Sequence, residues 1–164
     1  MIKDVIEELR KFSDRLTEWY PPAKREDIKE FEQNLGVTLP EDFKEFLMVT
    51  NGFEMMCNMV FGIKNRQEDL YEVYRVEHNE LYAKMPHHLI PFCPDGAGNH
   101  YCFDNNNDNV VVFWEFDLAA YYQDRHEEYE CEVVYPNFEA FAQEVLIDWT
   151  LQLVNYDGED IKTH

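Results

Sequence analysis

The chain has 164 residues, a formal net charge of −20 at pH 7, and a composition that is 45% hydrophobic and 15% aromatic. This length predicts one domain spanning residues 1–164 with a substantial core, and the apolar content argues against intrinsic disorder. Such a negative chain repels nucleic acid and anionic membranes, and no apolar run is long enough to cross a bilayer, so we expect neither as a partner.

The N-terminal quarter is predicted to be helical. Apolar residues recur at three- and four-residue steps over Ile2–Trp19, which predicts an amphipathic helix ended by Tyr20 and two prolines. A second helix is predicted from about Lys24 to Leu35, and a third over Pro40–Thr50. Charged residues within the first helix argue against a signal peptide, so we expect a cytoplasmic protein.

Strand-forming residues dominate the middle of the chain. Met55–Ile63 predicts one strand, and Gln67–Val76 favours a short helix over a strand. Three successive strands are predicted at Leu89–Cys93, Asn99–Asp104 and Val110–Phe116. The polar residues between the last two are typical of a hairpin turn.

The C-terminal part is the most acidic. Residues 101–164 hold 15 acidic and 2 basic residues, a net charge of −13. No clear element is predicted over Asp117–Glu130, whereas Tyr129–Tyr135 predicts a strand and Asn137 is a suitable N-cap for a closing helix. We expect that helix to bury Phe138, Phe141, Ala142, Val145, Leu146, Trp149 and Leu153.

The order of elements predicts an α+β fold. N-terminal helices precede a central antiparallel-rich (mixed) sheet, and a C-terminal helix closes the domain. Residues from about 156 onward are expected to form a loose tail.

Two motifs could bind ions or phosphates, but each has a simpler interpretation. The glycine-rich stretch 95–100 lacks the spacing and lysine of a phosphate-binding loop, so we interpret it as a tight turn between strands. Carboxylate and amide residues follow the spacing of a calcium-binding loop, with Asn109 in place of the usual glycine. Strand-like residues follow, which favours a hairpin tip without metal. The residues at the calcium-loop spacing are Asp104, Asn106, Asp108, Val110 and Glu115.

A catalytic site is not predicted. Asp95, His100 and Cys102 could form a hydrolase site, but no nucleophile motif surrounds them. The four cysteines form no C-x-x-C pair and no two histidines stand four residues apart, so zinc sites of those types are not indicated. We therefore predict no catalytic residue, no metal and no cofactor.

Two separated strings, Leu35–Gly52 and Leu89–Asp104, carry a family resemblance. Their order of helix stop, Leu-Pro restart, Asn-Gly end and glycine-rich turn resembles the SUKH superfamily, which contains the fungal Smi/Knr cell-wall regulators and many bacterial immunity proteins. The matching residues, which we expect to be structural, are Gly36, Leu39, Pro40, Phe43, Phe46, Asn51, Gly52, Gly62, Ile90, Pro91, Phe92, Gly96, Gly98, Asn99 and Tyr101. The resemblance implies a SUKH-like domain that binds protein, without catalysis or a cofactor.

The resemblance and the acidity together imply a partner. The chain looks like an immunity protein that neutralises a cognate bacterial toxin, with a basic nuclease among the candidates; the alternative is a Smi/Knr-like regulatory scaffold in cell-wall assembly. We expect a basic protein partner and a monomer or weak homodimer. The candidate partner-binding residues combine charge with aromatic rings: Tyr121, Tyr122, Asp124, Glu127, Glu128, Tyr129, Glu130 and Glu132.

Overall fold

The computed structural model describes residues 1–64 and 69–161 and combines helices with two antiparallel sheets. The helices are α1 (Ile2–Leu9), α2 (Arg25–Leu35), α3 (Glu41–Leu47), α4 (Leu70–Asn79), α5 (Phe116–Asp124), α6 (Phe138–Phe141) and α7 (Trp149–Leu151), with a π-helical segment (Ala142–Asp148) between the last two. The strands are β1 (Thr17–Trp19), β2 (Phe53–Met55), β3 (Asn58–Val60), β4 (Leu89–Pro94), β5 (His100–Asp104), β6 (Val110–Trp114) and β7 (Glu132–Tyr135). The predicted α+β fold is confirmed, although the pairs formed by these strands are all antiparallel rather than mixed.

The predicted first helix is too long. Helix α1 ends at Leu9, and Trp19 belongs instead to β1, which pairs with β2 so that Trp19 lies opposite Phe53. The two rings pack edge to face with their centroids 4.8 Å apart. The apolar spacing over residues 10–19 fits either a continued helix or a turn followed by a short strand. Pairing with β2 selects the strand.

Helices α2 and α3 follow the sequence closely. Helix α2 ends at Gly36, which has a φ of 64°, and Pro40 is the N-cap of α3. The backbone N–H of Leu39 donates to the Glu32 carboxylate at 2.8 Å, which ties the connection back onto α2. This arrangement of α2 and α3 places the side chains of Phe43 and Phe46, both on α3, in the core.

The predicted strand Met55–Ile63 is a hairpin in the structure. Strands β2 and β3 pair with Met55 opposite Asn58, so Met56 and Cys57 form a two-residue turn. Met56 has a φ of 51°, the left-handed conformation that such turns require. Neither turn residue is a usual turn former, which is why the turn was missed.

Asn51 holds the chain that leaves this hairpin. Its side-chain oxygen accepts from the backbone N–H of Ile63 at 2.6 Å, and its amide group donates to the Ile63 carbonyl. A side chain at Gly62 would overlap the Asn51 backbone carbonyl. The close approach of the two segments therefore requires glycine at position 62.

The larger sheet has strand order β4-β5-β6-β7 and buries most of both faces. One face packs against the helices through side chains that include Phe92, Phe103 and Val111. The other face carries a smaller cluster that includes Cys102, Val112, Trp114 and Ala119 of α5. Side chains alternate between faces along a strand, so each strand serves both clusters.

Aromatic rings fill the centre of the main core. The ring centroid of Phe43 lies 5.0 Å from those of Phe103 and Phe138, and Phe92 stacks on Phe103 at 4.1 Å. All four side chains are fully buried. Burial of a phenylalanine side chain contributes about 1.5–3 kcal/mol, so this cluster is a major source of stability.

The closing helix differs from its predicted burial pattern in the second half. Asn137 caps it as predicted, accepting from the backbone N–H of Ala140 at 2.8 Å. The π-helical segment then widens the turn, and Ile147 and Thr150 are buried while Trp149 and Leu153 are exposed. An insertion of this kind rotates every later residue relative to a 3.6-residue period.

The C-terminal segment begins with contacts to α1 and to the turn that follows it, where we predicted a loose tail. The Tyr156 ring lies 4.8 Å from that of Phe12, its hydroxyl donates to Glu8, and its carbonyl accepts from Ser13 N–H at 2.7 Å. These contacts attach Tyr156 to the body of the domain, and residues 162–164 of the predicted tail lie outside the described residues. Residues 67 and 68 of the predicted helix Gln67–Val76 also lie outside them, and the remainder overlaps α4.

Candidate partner-binding surface

The glycine-rich turn between β4 and β5 positions helix α5. The carboxylate of Asp95 accepts from the backbone N–H groups of Ala97 at 2.8 Å and Asn99 at 3.0 Å. The side-chain oxygen of Asn99 then accepts from the backbone N–H of Phe116, the first residue of α5, at 2.9 Å. The N-terminal N–H of helix α5 therefore donates to an acceptor 17 positions earlier in the chain, and this distant cap left no local signal in the sequence.

The C-terminal end of α5 is fixed by the loop that follows α4. The hydroxyl of Tyr82 donates to the carboxylate of Asp124. The Gln123 side chain donates to the Tyr82 carbonyl at 2.8 Å and accepts from Lys84 N–H at 3.0 Å. Asp124 is therefore already engaged within the fold.

The three candidate tyrosines have different environments. Tyr129 packs inward, with its ring 5.3 Å from Trp114 and 5.7 Å from Tyr122, and its hydroxyl accepts from Glu115 N–H at 3.3 Å. Burial raises the pKa of Tyr129 to about 12. Tyr121 is 48% exposed, and the Arg125 guanidinium lies 3.5 Å from its ring centroid. Of the three, Tyr121 is the most available to a partner.

The glutamates of the candidate set are exposed charges on this surface. Glu127, Glu128, Glu130 and Glu132 are all exposed. Within residues 1–64 and 69–161, none of them forms an ion pair or a side-chain hydrogen bond. Their charges are therefore not compensated within this part of the protein.

Exposed apolar side chains lie beside these glutamates. Leu118 on α5 is 38% exposed, and Val133 on β7 is 51% exposed. Leu118 was missed in the sequence because no helix was predicted over Asp117–Glu130, whereas Val133 lies within the predicted strand Tyr129–Tyr135 but was not singled out. Two-residue alternation along β7 would have placed Val133 on the same face as the buried Tyr135. A register shift in the pairing of β7 with β6 instead puts the two side chains on opposite faces of the sheet, which leaves Val133 exposed.

Three concavities lie along α5 and the segment 127–131. The first, which we call the Trp114 groove, has a volume of about 600 Å³ and lies between the outer face of the sheet and this segment. A second, of about 290 Å³, lies between Leu118 and the same segment, and a third, of about 400 Å³, lies between Asn99 and Tyr121. We use the name acidic surface for α5 together with residues 127–133, which border all three.

The possible hydrolase site is not supported by its geometry. Cys102 is fully buried, and this burial raises the pKa of its thiol well above the usual value. His100 is buried and its Nδ1 atom lies 3.1 Å from a carboxylate oxygen of Glu77, not near a free nucleophile. A buried thiol with a raised pKa forms little of the thiolate that attacks a substrate.

The possible calcium site is not assembled either. Asp104 lies opposite Val110 at one end of β6, whereas Glu115 follows the other end of that strand, about 16 Å away. Residues 105–109 form the turn between β5 and β6, with Asp108 and Asn109 at positive φ. In the portion of the chain that the structure describes, no group of three acidic, histidine or cysteine side chains is placed to hold a metal.

The match to known families bears on this surface. The model of the SMI1 / KNR4 family (SUKH-1) matches residues 22–144. The chain belongs to that family. The match includes helices α2 to α6, the larger sheet and the acidic surface. Domains of this SUKH family are generally non-enzymatic immunity or regulatory proteins.

Individual relatives are more distant. A segment of 34 residues is 56% identical to the uncharacterized protein YnaB of Bacillus subtilis (strain 168), covering 21% of this chain and 24% of YnaB. The SPbeta prophage-derived uncharacterized protein YokK of the same strain is 25% identical over an alignment of 128 residues, and the match covers 61% of this chain and 66% of YokK. The chain therefore spans less than two thirds of either relative.

A solved structure supports the fold. The crystal structure of a protein from Pseudomonas syringae pv. tomato matches with a TM-score of 0.62 and 22% identity, covering 87% of this SUKH chain and 96% of that one. At this level of identity the similarity concerns the fold. Among the described residues, no helix has the length and apolar character needed to span a membrane.

Proposed function

We propose that this SUKH domain is a non-enzymatic immunity protein that binds a basic cognate toxin through its acidic surface and so neutralises it. The observation that carries the proposal is a set of exposed glutamates that form no ion pair with any described residue and lie beside exposed apolar side chains on one surface. Family membership supports the broader statement that the domain acts as an immunity or regulatory protein.

The charge distribution favours a basic partner. Residues 101–164 carry a net charge of −13, and within them Glu127, Glu128 and Glu130 lie close together on an exposed segment. A concentrated negative field increases the rate at which a positive protein arrives and orients it on contact. A toxin that acts on nucleic acid would present such a positive surface, because its substrate is an anion.

The neighbouring apolar groups would supply affinity. Exposed ion pairs alone contribute little, whereas tyrosine and aliphatic side chains provide area that is lost to water on binding. Leu118, Tyr121 and Val133 are the exposed apolar residues of this surface. Charge would then set the association rate, and these residues would set the lifetime of the complex.

The test uses the product of a toxin-like gene next to the gene for this chain. Cells expressing that toxin should survive when the wild-type protein is co-expressed, and the two purified proteins should bind. We expect the triple reversal of Glu127, Glu128 and Glu130 to Lys to slow association and to weaken protection. Association of the wild type should also become slower as salt is raised.

A matched control separates local charge from net charge. Glu7, Glu26 and Glu45 are exposed, have no ion pair in the described ranges, and lie on α1, α2 and α3. Reversing these three to Lys changes the net charge equally and should leave binding close to that of the wild type. Equal association rates for the two triple variants would contradict the acidic surface. Failure of any adjacent gene product to bind would instead favour the regulatory scaffold.

A further inference from the structure

The Trp114 groove combines an apolar floor with an acidic rim. Leu89, Val112 and Trp114 come from the outer face of the sheet, and Glu128 and Glu130 come from the segment that borders it. The opposite wall carries Lys84 and His88, which are already engaged. Lys84 donates to the Asn79 carbonyl at 2.8 Å, and His88 Nε2 lies 3.8 Å from a carboxylate oxygen of Asp104.

The indole of Trp114 contributes a separate observation. Its side chain is only 2% exposed, and its Nε1–H has no hydrogen-bond partner among the residues that the structure describes. A buried donor without an acceptor costs about 1–3 kcal/mol, and native proteins usually satisfy such groups. An oxygen acceptor that reached the floor of the groove would remove this cost.

These two features require different groups of one ligand. The glutamates of the rim favour a cation, the apolar walls favour methylene groups, and the indole favours an acceptor oxygen. A lysine or arginine residue in an extended peptide carries all three, in its charged head, its side-chain stem and its main-chain carbonyl. A metal ion would lack the methylene groups, and an anion would be repelled by the rim.

We propose that the Trp114 groove receives a lysine or arginine side chain from an extended segment of the toxin, with a main-chain carbonyl of that segment accepting from Trp114 Nε1–H. This inference rests on the proposed function and names the part of the acidic surface that selects the partner. The cation lies against Glu128 and Glu130, and the side-chain stem lies against Val112 and Val133.

The test follows the indole N–H signals of the intact protein by NMR during titration with a short blocked peptide, acetyl-Ala-Arg-Ala-amide. Replacement of each of the three tryptophans by Phe assigns the signals of Trp19, Trp114 and Trp149. We expect a saturable shift of the Trp114 signal and no shift of the Trp149 signal, because Trp149 lies on the closing helix. The peptide acetyl-Ala-Glu-Ala-amide should shift neither.

Variants then test the contacts. The double change Glu128→Gln and Glu130→Gln should weaken peptide binding about tenfold, since it removes two exposed charge pairs. The matched change Glu7→Gln and Glu45→Gln should leave it unaltered. Trp114→Phe keeps an aromatic ring without the N–H and should weaken binding about fivefold, as followed by the shifts of backbone amides at residues 128–131.

Different results would contradict the peptide-binding role of the Trp114 groove and the proposed function. A Trp114 signal that does not move at about 10 mM peptide, together with unchanged toxin binding by Trp114→Phe, excludes the groove and leaves the acidic surface intact. Equal toxin association rates for the two triple charge-reversal variants would instead exclude the acidic surface as the toxin-binding site.

Discussion

The side-chain oxygen of Asn99 accepts a hydrogen bond from the backbone N–H of Phe116 at 2.9 Å. Asn99 belongs to the glycine-rich turn of the family resemblance, and Phe116 begins the helix that forms half of the acidic surface. The turn therefore has a defined structural role, because its Asn99 caps the helix that carries Leu118 and Tyr121.

Removal of this cap should destabilise α5 more than the rest of the fold. We expect Asn99→Ala to lower the free energy of unfolding by about 1 kcal/mol, the usual effect of losing an N-cap side chain. Amide hydrogen exchange should accelerate in α5 while remaining slow in β5 and β6. Asn99→Asp is not a neutral control, because the Asn99 amide also donates to Asp95 at 2.8 Å and a second carboxylate there would be repelled. Exchange in α5 that stays at the wild-type rate in Asn99→Ala would contradict the capping role.

Gly98 should resist replacement because of its backbone conformation alone. Its φ is 91°, and an added Cβ would have no neighbour within 4 Å, so any cost arises from the backbone. We expect Gly98→Val to lower the free energy of unfolding by about 2 kcal/mol in urea unfolding. Ala97→Val, in the same exposed turn but without positive φ, is the control and should be nearly neutral. A wild-type midpoint for Gly98→Val would show that the turn does not need glycine there.

The central aromatic cluster should dominate stability. Phe46 is fully buried, with its ring 5.1 Å from that of Phe138, and we expect Phe46→Ala to lower the free energy of unfolding by about 3–5 kcal/mol. Trp149 has a larger side chain but is 40% exposed, so Trp149→Ala should cost clearly less. Chemical denaturation of both variants measures the difference, and the opposite order would contradict the burial pattern of the closing helix.

The buried pair Glu77 and His100 should contribute almost no pH dependence to stability between about pH 4.5 and 6.5, until one partner is removed. Burial raises the pKa of Glu77 to about 7, and burial also lowers the pKa of His100 to about 4, with Asp95 opposing that second shift. Between about pH 4.5 and 6.5 the folded pair holds one proton, on Glu77, and the unfolded pair also holds one, on the histidine. Folding then binds and releases no proton, so stability has no slope from this pair.

Single replacements should reveal opposite slopes. In Glu77→Gln only the unfolded state protonates His100, so stability should rise as pH increases from about 4 to 6.5. In His100→Gln only the folded state keeps the Glu77 proton, so stability should fall from about pH 4.5 to 7. Each slope is at most about 1.4 kcal/mol per pH unit. Urea unfolding across a pH series measures each slope. If stability varied with pH in the same way in the wild type and in both variants, Glu77 and His100 would not both be neutral in the folded state.

Local patterns in the sequence were sufficient for much of the fold. Helix α2 carries its own apolar stripe and ends at a glycine, and strands β4 to β6 alternate around turn-forming residues. The Asn137 cap is equally local. Such elements depend on residues within a few positions of one another, so sequence alone predicts them. The negative charge and the identities of the candidate glutamates also follow from the sequence.

Contacts between distant residues decided the rest. Trp19 became a strand residue because β2 pairs with it, and α5 begins where Asn99 supplies a cap. The candidate site divides in the same way. The sequence determined an acidic, tyrosine-rich segment, but pairing of β7 with β6 turned Tyr129 inward onto Trp114 and left Val133 exposed. The groove over Trp114 forms only when the sheet, helix α5 and the segment 127–131 meet, because each contributes lining residues.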